Sequence, residues 1–261
     1  MSAVTAPVQR PCVLVFSGLD PSGGAGLVAD AQAVAAQGAH ALTVCTALTV
    51  QDNDRVFAVE PVATDLVLRQ ARALTGKMAI GAVKIGIPGS AANALAIADV
   101  IRALRRVQPQ LPVVLDPVLA SGHGDVLTPG DAVAALAPLL ALATVLTPNG
   151  PEAYRLTGVE AGAAQAAMLR GQGCRNVLIT GGHDDGPHLL NRCYGEVDHQ
   201  WQWQRLPGQF HGSGCTLAAA IAGHLALRLP LVAALELAQH YCFGALRDAY
   251  AVAAGQRMPH R

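Results

Sequence analysis

Short apolar stretches alternate with helical stretches from Cys12 to about residue 180, and this alternation constrains the fold more than any other feature of the chain. The apolar stretches favour β-strands and lie at 12–16, 41–45, 80–87, 112–118, 144–146 and 176–183. Apolar strands separated by helices favour a mainly parallel sheet with helices on both faces. We therefore predict an α/β fold in one domain over residues 1–261, with loose tails at 1–10 and 256–261.

The alternation changes after residue 180, where two stretches, 189–197 and 200–206, predict a hairpin-like pair of strands. Trp201 and Trp203 share one face of the second stretch, because side chains two residues apart in a strand point the same way. Packing against the sheet is favoured for both rings over stacking on a base. Two helices are predicted to follow, at 217–227 and 231–253.

The composition excludes several classes of protein. Hydrophobic residues make up 52% of the 261 positions, which is enough to bury a large core. The 18 basic and 18 acidic residues balance and form no basic run, so neither a nucleic acid nor an acidic membrane surface is expected as a partner. No apolar stretch reaches the ~20 residues that a membrane-spanning helix needs. The six cysteines form no C-x-x-C pair, and the first nine residues lack a signal-peptide pattern, so we expect reduced thiols in the cytoplasm.

The glycine-interrupted segment from Phe210 to Thr216 runs directly into an alanine-rich helical stretch. Small residues let the backbone N–H groups of Gly212, Ser213 and Gly214 turn toward one point, and the helix adds the positive end of its dipole. This arrangement predicts an anion-binding site. Cys215 lies at its mouth, where a helix terminus lowers a thiol pKa from about 8.5. It is therefore a candidate proton acceptor, and the alternative is a small buried residue at the start of a helix.

A second glycine-rich loop, 17–26, follows the first strand and precedes a helix, which is a common position for a ligand in an open α/β sheet. It matches neither the dinucleotide fingerprint nor the P-loop, and the alternative is a tight turn with a helix cap. Asp30 lies one turn into the helix and faces either solvent or the pocket. Gln51 carries a donor and an acceptor that suit the edge of a heterocyclic base, unless it is only a polar loop residue.

Polar residues also occur at the ends of later strands. Lys84 is costly within an apolar strand unless it is paired, and Asp116 emerges where ligands bind in such sheets. Asn149 and Glu152 fit either a helix capping box or a role with Mg²⁺ and phosphates. The loop 121–125 is a candidate lid, in which His123 is interpreted as an ordinary loop histidine rather than a metal ligand.

The anion site and the Asn/Glu pair together suggest phosphoryl transfer. A substrate hydroxyl would lie over Cys215, while the N–H groups of residues 212–215 hold a γ-phosphate. Catalysis of this kind depends mainly on positioning and charge stabilisation.

Three blocks of the sequence resemble the hydroxymethylpyrimidine/phosphomethylpyrimidine kinases of thiamin biosynthesis, within the ribokinase-like superfamily. The first block is 17–26 with Asp30, and the last is 211–216. The middle block comprises 84–86, 115–118 and 147–149 with Glu152. Their order and spacing match the family over about residues 12–250.

The resemblance implies a ribokinase-like three-layer sandwich that uses ATP and Mg²⁺. The implied reaction is phosphorylation of 4-amino-5-hydroxymethyl-2-methylpyrimidine and then of its monophosphate. The implied partners are these small molecules and a second copy of the chain in a homodimer.

The resemblance also implies roles for individual residues. Those expected to contact or enclose the pyrimidine are Gly18, Asp30, Gln51, Val118 and Ile87, the last standing where the family commonly has Met. Those expected at the γ-phosphate are Cys215, in the place of the superfamily's usual aspartate base, with Gly212, Ser213 and Gly214 as the anion hole. Those expected near Mg-ATP are Asn149, Thr180 and Gly182 for the nucleotide and Glu152 for the metal.

Two other functions remain open from the sequence. A pyridoxal/pyridoxine kinase of the same subgroup shares the Gly-x-Gly-Cys-Thr signature, and pyridoxal could form a hemithioacetal with Cys215. A non-catalytic sensor of a pyrimidine would bind without turnover. A nicotinamide oxidoreductase is disfavoured because the dinucleotide glycine pattern is missing.

Overall fold

The computed structural model describes residues 9–120, 123–125, 127, 130–183, 185–196 and 198–261. Its strands are β1 (Cys12–Leu19), β2 (His40–Gln51), β3 (Val56–Pro61), β4 (Ile80–Ile85), β5 (Val113–Leu115), β6 (Val145–Leu146), β7 (Asn176–Ile179), β8 (His188–Tyr194) and β9 (His199–Gln204). Its helices are α1 (Gly26–Ala36), α2 (Thr64–Thr75), α3 (Ala91–Val107), α4 (Ala132–Leu140), α5 (Gly150–Thr157), α6 (Gly162–Gly171), α7 (Ser213–Ala226) and α8 (Leu231–Arg247).

The strands form one nine-stranded sheet in the order β3-β2-β1-β4-β5-β6-β7-β8-β9. The six strands from β2 to β7 in that order pair in parallel, while β3, β8 and β9 pair antiparallel at the two edges. The predicted mainly parallel α/β sheet and the predicted hairpin are both confirmed.

Alternation along the strands divides the core into two layers around the sheet. In β1, Leu14 and Phe16 pack with α2, α3 and α4 on one face, whereas Val13 and Val15 pack with α1, α7 and α8 on the other. All four side chains are fully buried, as expected for a central strand covered on both faces. The result is the predicted three-layer arrangement.

The topology explains where a site can form. β1 pairs in parallel with β2 on one side and with β4 on the other. The chain therefore extends the sheet from β1 through β2 and β3 in one direction, and then returns to the other side of β1 to add β4. A crevice opens outside the carboxyl ends of the strands at such a switch point. The loop 20–26, Gly86 and Asp116 all follow the carboxyl ends of these central strands.

The C-terminal region differs from its prediction in two ways. The last helix ends at Arg247 rather than residue 253, because Tyr250 and Met258 exchange two backbone hydrogen bonds of 3.0 and 2.8 Å. The tail 256–261 is not loose: Met258 is 4% exposed, and Arg257 N–H donates to Gln209 O at 2.9 Å. A pairing that joins segments almost 50 residues apart leaves no trace in local sequence patterns.

The other predicted tail lies mostly at 1–8, outside the described residues. Within the described part of the chain, none of the helices is long and apolar enough to cross a membrane.

Candidate active site

A cavity of about 900 Å³ lies at the carboxyl ends of the strands. Every residue predicted for the site lines it except Asp30: Gly18, Gln51, Ile87, Val118, Asn149, Glu152, Thr180, Gly182, Gly212, Ser213, Gly214 and Cys215. These residues span almost 200 positions of the chain, and the sheet topology brings them together.

The predicted anion site is the N-terminus of α7. Gly212 precedes the helix with φ +70°, a left-handed conformation that favours glycine. A Cβ at this position would also overlap the carbonyl oxygen of Gly24. The first amide to bond back into the helix is that of Thr216, which donates to Gly212 O at 2.9 Å. The amides of Ser213, Gly214 and Cys215 therefore have no acceptor within the helix, and all three residues line the cavity.

Cys215 lies in a more enclosed environment than its sequence position indicates. Burial raises the pKa of its thiol to about 12; Lys84 acts in the opposite direction, and the charges of Asp116 and Asp30 add to the rise. The prediction that the helix terminus lowers this pKa is therefore wrong, because desolvation outweighs the dipole. The Asp116 carboxyl and the Cys215 thiol are close enough for each to influence the pKa of the other.

Asp30 does not reach the cavity. Its carboxylate accepts a 2.9 Å hydrogen bond from Lys84 Nζ, and both side chains are 0% exposed. The prediction that Asp30 contacts the substrate is therefore wrong, and so is the alternative that it faces solvent. Burial by itself would lower the pKa of Lys84, but the charges of Asp30, Cys215 and Asp116 raise it. The prediction that Lys84 must be paired is confirmed.

Asp116 and Glu152 form an acidic pair in the cavity. Burial raises the pKa of Asp116 to about 6, and burial together with the charge of Asp116 raises that of Glu152 to about 8. Of the two alternatives for Asn149 and Glu152, the capping box is confirmed, with reciprocal hydrogen bonds of 2.9 and 2.8 Å. Two carboxyl groups whose ionisation is disfavoured in one cavity fit a divalent cation, because its charge would offset their repulsion and desolvation.

The described residues hold no group of three or more His, Cys, Asp or Glu side chains that could bind a metal without help from a ligand.

Gly18 and Ile87 shape the end of the cavity nearest β1. A Cβ at Gly18 would lie 2.6 Å from Ile87 Cδ1, so Ile87 would have to shift if residue 18 carried a side chain. Nearby, the Gln51 amide donates to Thr49 Oγ1 at 2.7 Å, and Thr49 donates to Leu19 O at 2.9 Å. Gln51 lies at the end of β2 rather than in the loop that follows, so its orientation is set by the sheet.

The opposite end of the cavity contains residues that sequence reasoning missed. Trp203 Nε1 donates to Gln239 Oε1 at 3.1 Å, and the Trp203 ring lies 5.4 Å from that of Phe243. All three line the cavity, whereas Trp201 is 8% exposed and belongs to the core. The predicted packing is confirmed for both rings, because Trp203 packs against the same core cluster as Trp201, and Trp203 lines the cavity in addition. No local signal separates the two tryptophans, because the contacts of Trp203 come from α8.

The candidate lid contacts the turn between β2 and β3. Ser121 and Gly122 lie outside the described residues, but Asp125 pairs with Arg55 at 2.6 Å and His123 lies 3.1 Å from Asp54. Gly124 and Asp54 both line the cavity, so this contact forms part of its wall.

A family described as phosphomethylpyrimidine kinase has a sequence model that matches residues 20–260. The chain belongs to this family. It is 34% identical over 262 aligned residues to a hydroxymethylpyrimidine/phosphomethylpyrimidine kinase from Streptomyces coelicolor, with 98% of this chain and 96% of the relative covered. The resemblance inferred from the sequence blocks is confirmed, and the chain is a kinase rather than a binding protein without catalytic function.

Solved structures agree with the family assignment. An ADP complex of Bacillus subtilis pyridoxal kinase aligns with a TM-score of 0.84 and 27% identity, covering 96% of this chain and 97% of that one. Phosphomethylpyrimidine kinase from Clostridium difficile 630 aligns with a TM-score of 0.76 and 30% identity, covering 90% of this chain and 98% of that one. The ribokinase-like fold is confirmed.

Proposed function

We propose that this kinase transfers the γ-phosphate of ATP to the hydroxymethyl group of 4-amino-5-hydroxymethyl-2-methylpyrimidine, and a second phosphate to the resulting monophosphate. The observation that carries the proposal is the position of the α7 N-terminus. Its amides face a cavity whose walls hold Gln51 on one side and Asn149 and Thr180 on the other. A heterocycle and a nucleotide can therefore approach the same anion site from opposite ends.

The reaction requires an in-line attack at the γ-phosphorus. The substrate oxygen forms a bond to phosphorus, the bond to the β-phosphate oxygen breaks, and ADP leaves. The first-turn amides of Ser213, Gly214 and Cys215 stabilise the charge on the transferred group. These amides are held in place before the reaction, so they need no reorganisation at that moment.

Cys215 is proposed to take the proton from the substrate hydroxyl. Since its thiol pKa is raised to about 12, little free thiolate exists at neutral pH. Asp116, with a pKa raised to about 6, is ionised at neutral pH and accepts the thiol proton as Cys215 takes the hydroxyl proton. The aspartate thereby supplies the basicity that the buried cysteine lacks.

Glu152, beside Asp116, would hold Mg²⁺ with the phosphates, and the ion would neutralise phosphate charge. Asn149, Thr180 and Gly182 line the wall next to it and are assigned to the nucleotide. The aromatic end formed by Trp203 and Phe243 offers flat surfaces for a purine base.

The remaining pyrimidine contacts are assigned to Gly18, Gln51, Ile87 and Val118, all of which line the cavity. We propose in addition that the chain forms one domain, is cytoplasmic, and acts as a homodimer. One continuous sheet supports the single domain. The apolar face of the β2–β3 edge, where Val50 is 56% and Phe57 is 68% exposed, is suited to contact between two copies.

Pyridoxal phosphorylation is the second candidate, favoured by the higher TM-score of the pyridoxal kinase alignment. Release of ADP should be measured with Mg-ATP and, separately, hydroxymethylpyrimidine, its monophosphate and pyridoxal. We expect kcat/KM to be highest for the pyrimidine, by about 10-fold or more, the discrimination that a few altered pocket contacts supply. A preference for pyridoxal would replace the first function by the second, and pyrimidine binding without ADP release would contradict both.

A further inference from the structure

The last residue of the chain, Arg261, extends its side chain beneath the anion site. Its Nε donates to Thr216 Oγ1 at 2.8 Å, and its Nη2 donates to Gly24 O at 2.5 Å. Longer hydrogen bonds of 3.4 and 3.3 Å run from Nη2 to the carbonyl oxygens of His211 and Gly212. One guanidinium thus joins the two glycine-rich loops and the first turn of α7.

The contact is made on the side of the loops opposite to their amides. In a peptide unit the carbonyl and the N–H group point in opposite directions, so a donor that holds the carbonyls of residues 211 and 212 also orients the amides that follow them. Thr216 completes the arrangement, since its hydroxyl donates to Gly212 O at 2.8 Å while accepting from Arg261. The amides of Gly212 and Ser213 are thereby set toward the cavity.

The guanidinium also places a positive charge close to the site. In the described part of the chain, its hydrogen bonds all go to neutral oxygens, of three carbonyls and one hydroxyl. Burial lowers the pKa of Arg261, while the charges of Cys215 and Asp30 act to raise it. An arginine keeps its proton in such surroundings, so its charge adds to the positive end of the α7 dipole.

We propose that Arg261 is a positioning residue of the anion site. It fixes the position of the α7 N-terminus relative to the loop 20–26, and its charge strengthens binding of a terminal phosphate. This inference rests on the proposed function only in identifying that phosphate as the γ-phosphate of ATP. The neighbouring residues are tied by further contacts, including the 2.8 Å pair between His211 and Asp20, so loss of Arg261 should alter the site without unfolding it.

The test compares Arg261→Met and Arg261→Lys with Arg105→Met. Arg105 is a matched control, because it is also partly desolvated and also donates to a carbonyl, Leu111 O, and to a threonine hydroxyl, Thr144 Oγ1. Binding of ADP and of the non-hydrolysable β,γ-methylene analogue of ATP should be measured by calorimetry. We expect Arg261→Met to weaken binding of the analogue about 10-fold more than binding of ADP, as for a lost charge-assisted contact. We expect the effect of Arg261→Lys to lie between those of the wild-type residue and Arg261→Met. Arg105→Met should leave the ratio of the two affinities unchanged.

A second measurement separates a charge effect from loosening and does not depend on kinase activity. The rate at which iodoacetamide labels Cys215 at pH 9 should be followed by peptide mass spectrometry in the same variants. Loss of the nearby positive charge should lower the thiolate fraction and hence the rate by about threefold, whereas simple loosening would expose the thiol and raise it. A raised or unchanged rate, or equal losses for ADP and the analogue, would overturn the inference. Failure of the wild-type protein to bind either nucleotide would instead overturn the proposed function. The labelling rate would then decide alone whether Arg261 acts on the anion site.

Discussion

Lys84 Nζ lies 2.9 Å from Asp30 Oδ2, and the two side chains are completely buried, near enough to Cys215 and Asp116 for these groups to raise the pKa of Lys84. Lys84 stands in the central strand β4, and Asp30 stands in α1, so the pair joins the sheet to the helix below the loop 20–26. A buried cation next to two acidic groups and a thiol also sets the electrostatic balance of the site. The pair is therefore both a structural and an electrostatic element.

Removal of one partner should be strongly destabilising. Lys84→Met leaves the Asp30 carboxyl buried without its cation, and we expect the free energy of unfolding to fall by about 3–5 kcal/mol. Urea denaturation followed by circular dichroism measures it. The double variant Lys84→Met/Asp30→Asn should recover part of the loss, because no uncompensated charge remains. Arg102→Met breaks an exposed pair with Asp99 and should cost less than about 1 kcal/mol. A comparably small effect for Lys84→Met would contradict a buried charged pair.

Substitution of Cys215 tests the proton transfer. Cys215→Ala should lower kcat at least ~10²-fold, the size expected for loss of a general base. Steady-state release of ADP is the measurement. Cys174→Ala, which alters a buried cysteine that does not line the cavity, serves as the control and should retain activity. Near-normal turnover of Cys215→Ala would contradict the role of the thiol in proton transfer, and only the backbone amide of residue 215 would then contribute to catalysis.

The acidic pair predicts how stability depends on pH in magnesium-free buffer. The pKa of Glu152 rises from 4.5 to about 8 in the folded protein, so the folded state binds more protons than the unfolded state within that interval. Stability should therefore be highest below pH 4.5 for this group and decline as pH rises through 8. Since Glu152 retains some exposure, we expect a contribution of roughly 1–2 kcal/mol.

Glu152→Gln provides the comparison for that dependence. The urea midpoint of the wild-type protein should fall between pH 5 and pH 9, and the fall should be smaller in Glu152→Gln. Added Mg²⁺ should reduce the wild-type fall, because a cation stabilises the ionised carboxylate. Identical pH profiles for the two proteins would show that Glu152 ionises normally.

The contact between Gly18 and Ile87 predicts a pair of compensating substitutions. Gly18→Ala introduces a methyl group 2.6 Å from Ile87 Cδ1, so Ile87 must move into the cavity. We expect KM for the pyrimidine to rise by about 10-fold, with overpacking costing about 1–3 kcal/mol of stability. KM for ATP should change little. Gly18→Ala/Ile87→Ala removes the clash and should recover pyrimidine binding, whereas additive losses in the double variant would mean that the two residues do not interact.

The sequence determined those features that depend on local physics. Apolar strands between helices were sufficient for the sheet and its three layers. Small residues before an alanine-rich stretch were sufficient to predict a helix that begins at the cavity. Lys84 could be identified as a buried charge in need of a partner, because an apolar strand cannot solvate an ammonium group. The capping box at Asn149 and Glu152 is also a local pattern, which is why both of its interpretations could be stated in advance.

Only the tertiary structure decided which partner each group has and how much water it retains. The family resemblance assigned Asp30 to the substrate, yet Lys84, 54 positions along the chain, holds it in the core. The pKa of Cys215 was misjudged for a related reason: a helix dipole is visible in sequence, whereas desolvation depends on all the elements that close around the thiol. Arg261 reaches Gly24 across 237 positions, and no periodicity or motif encodes a contact of that range.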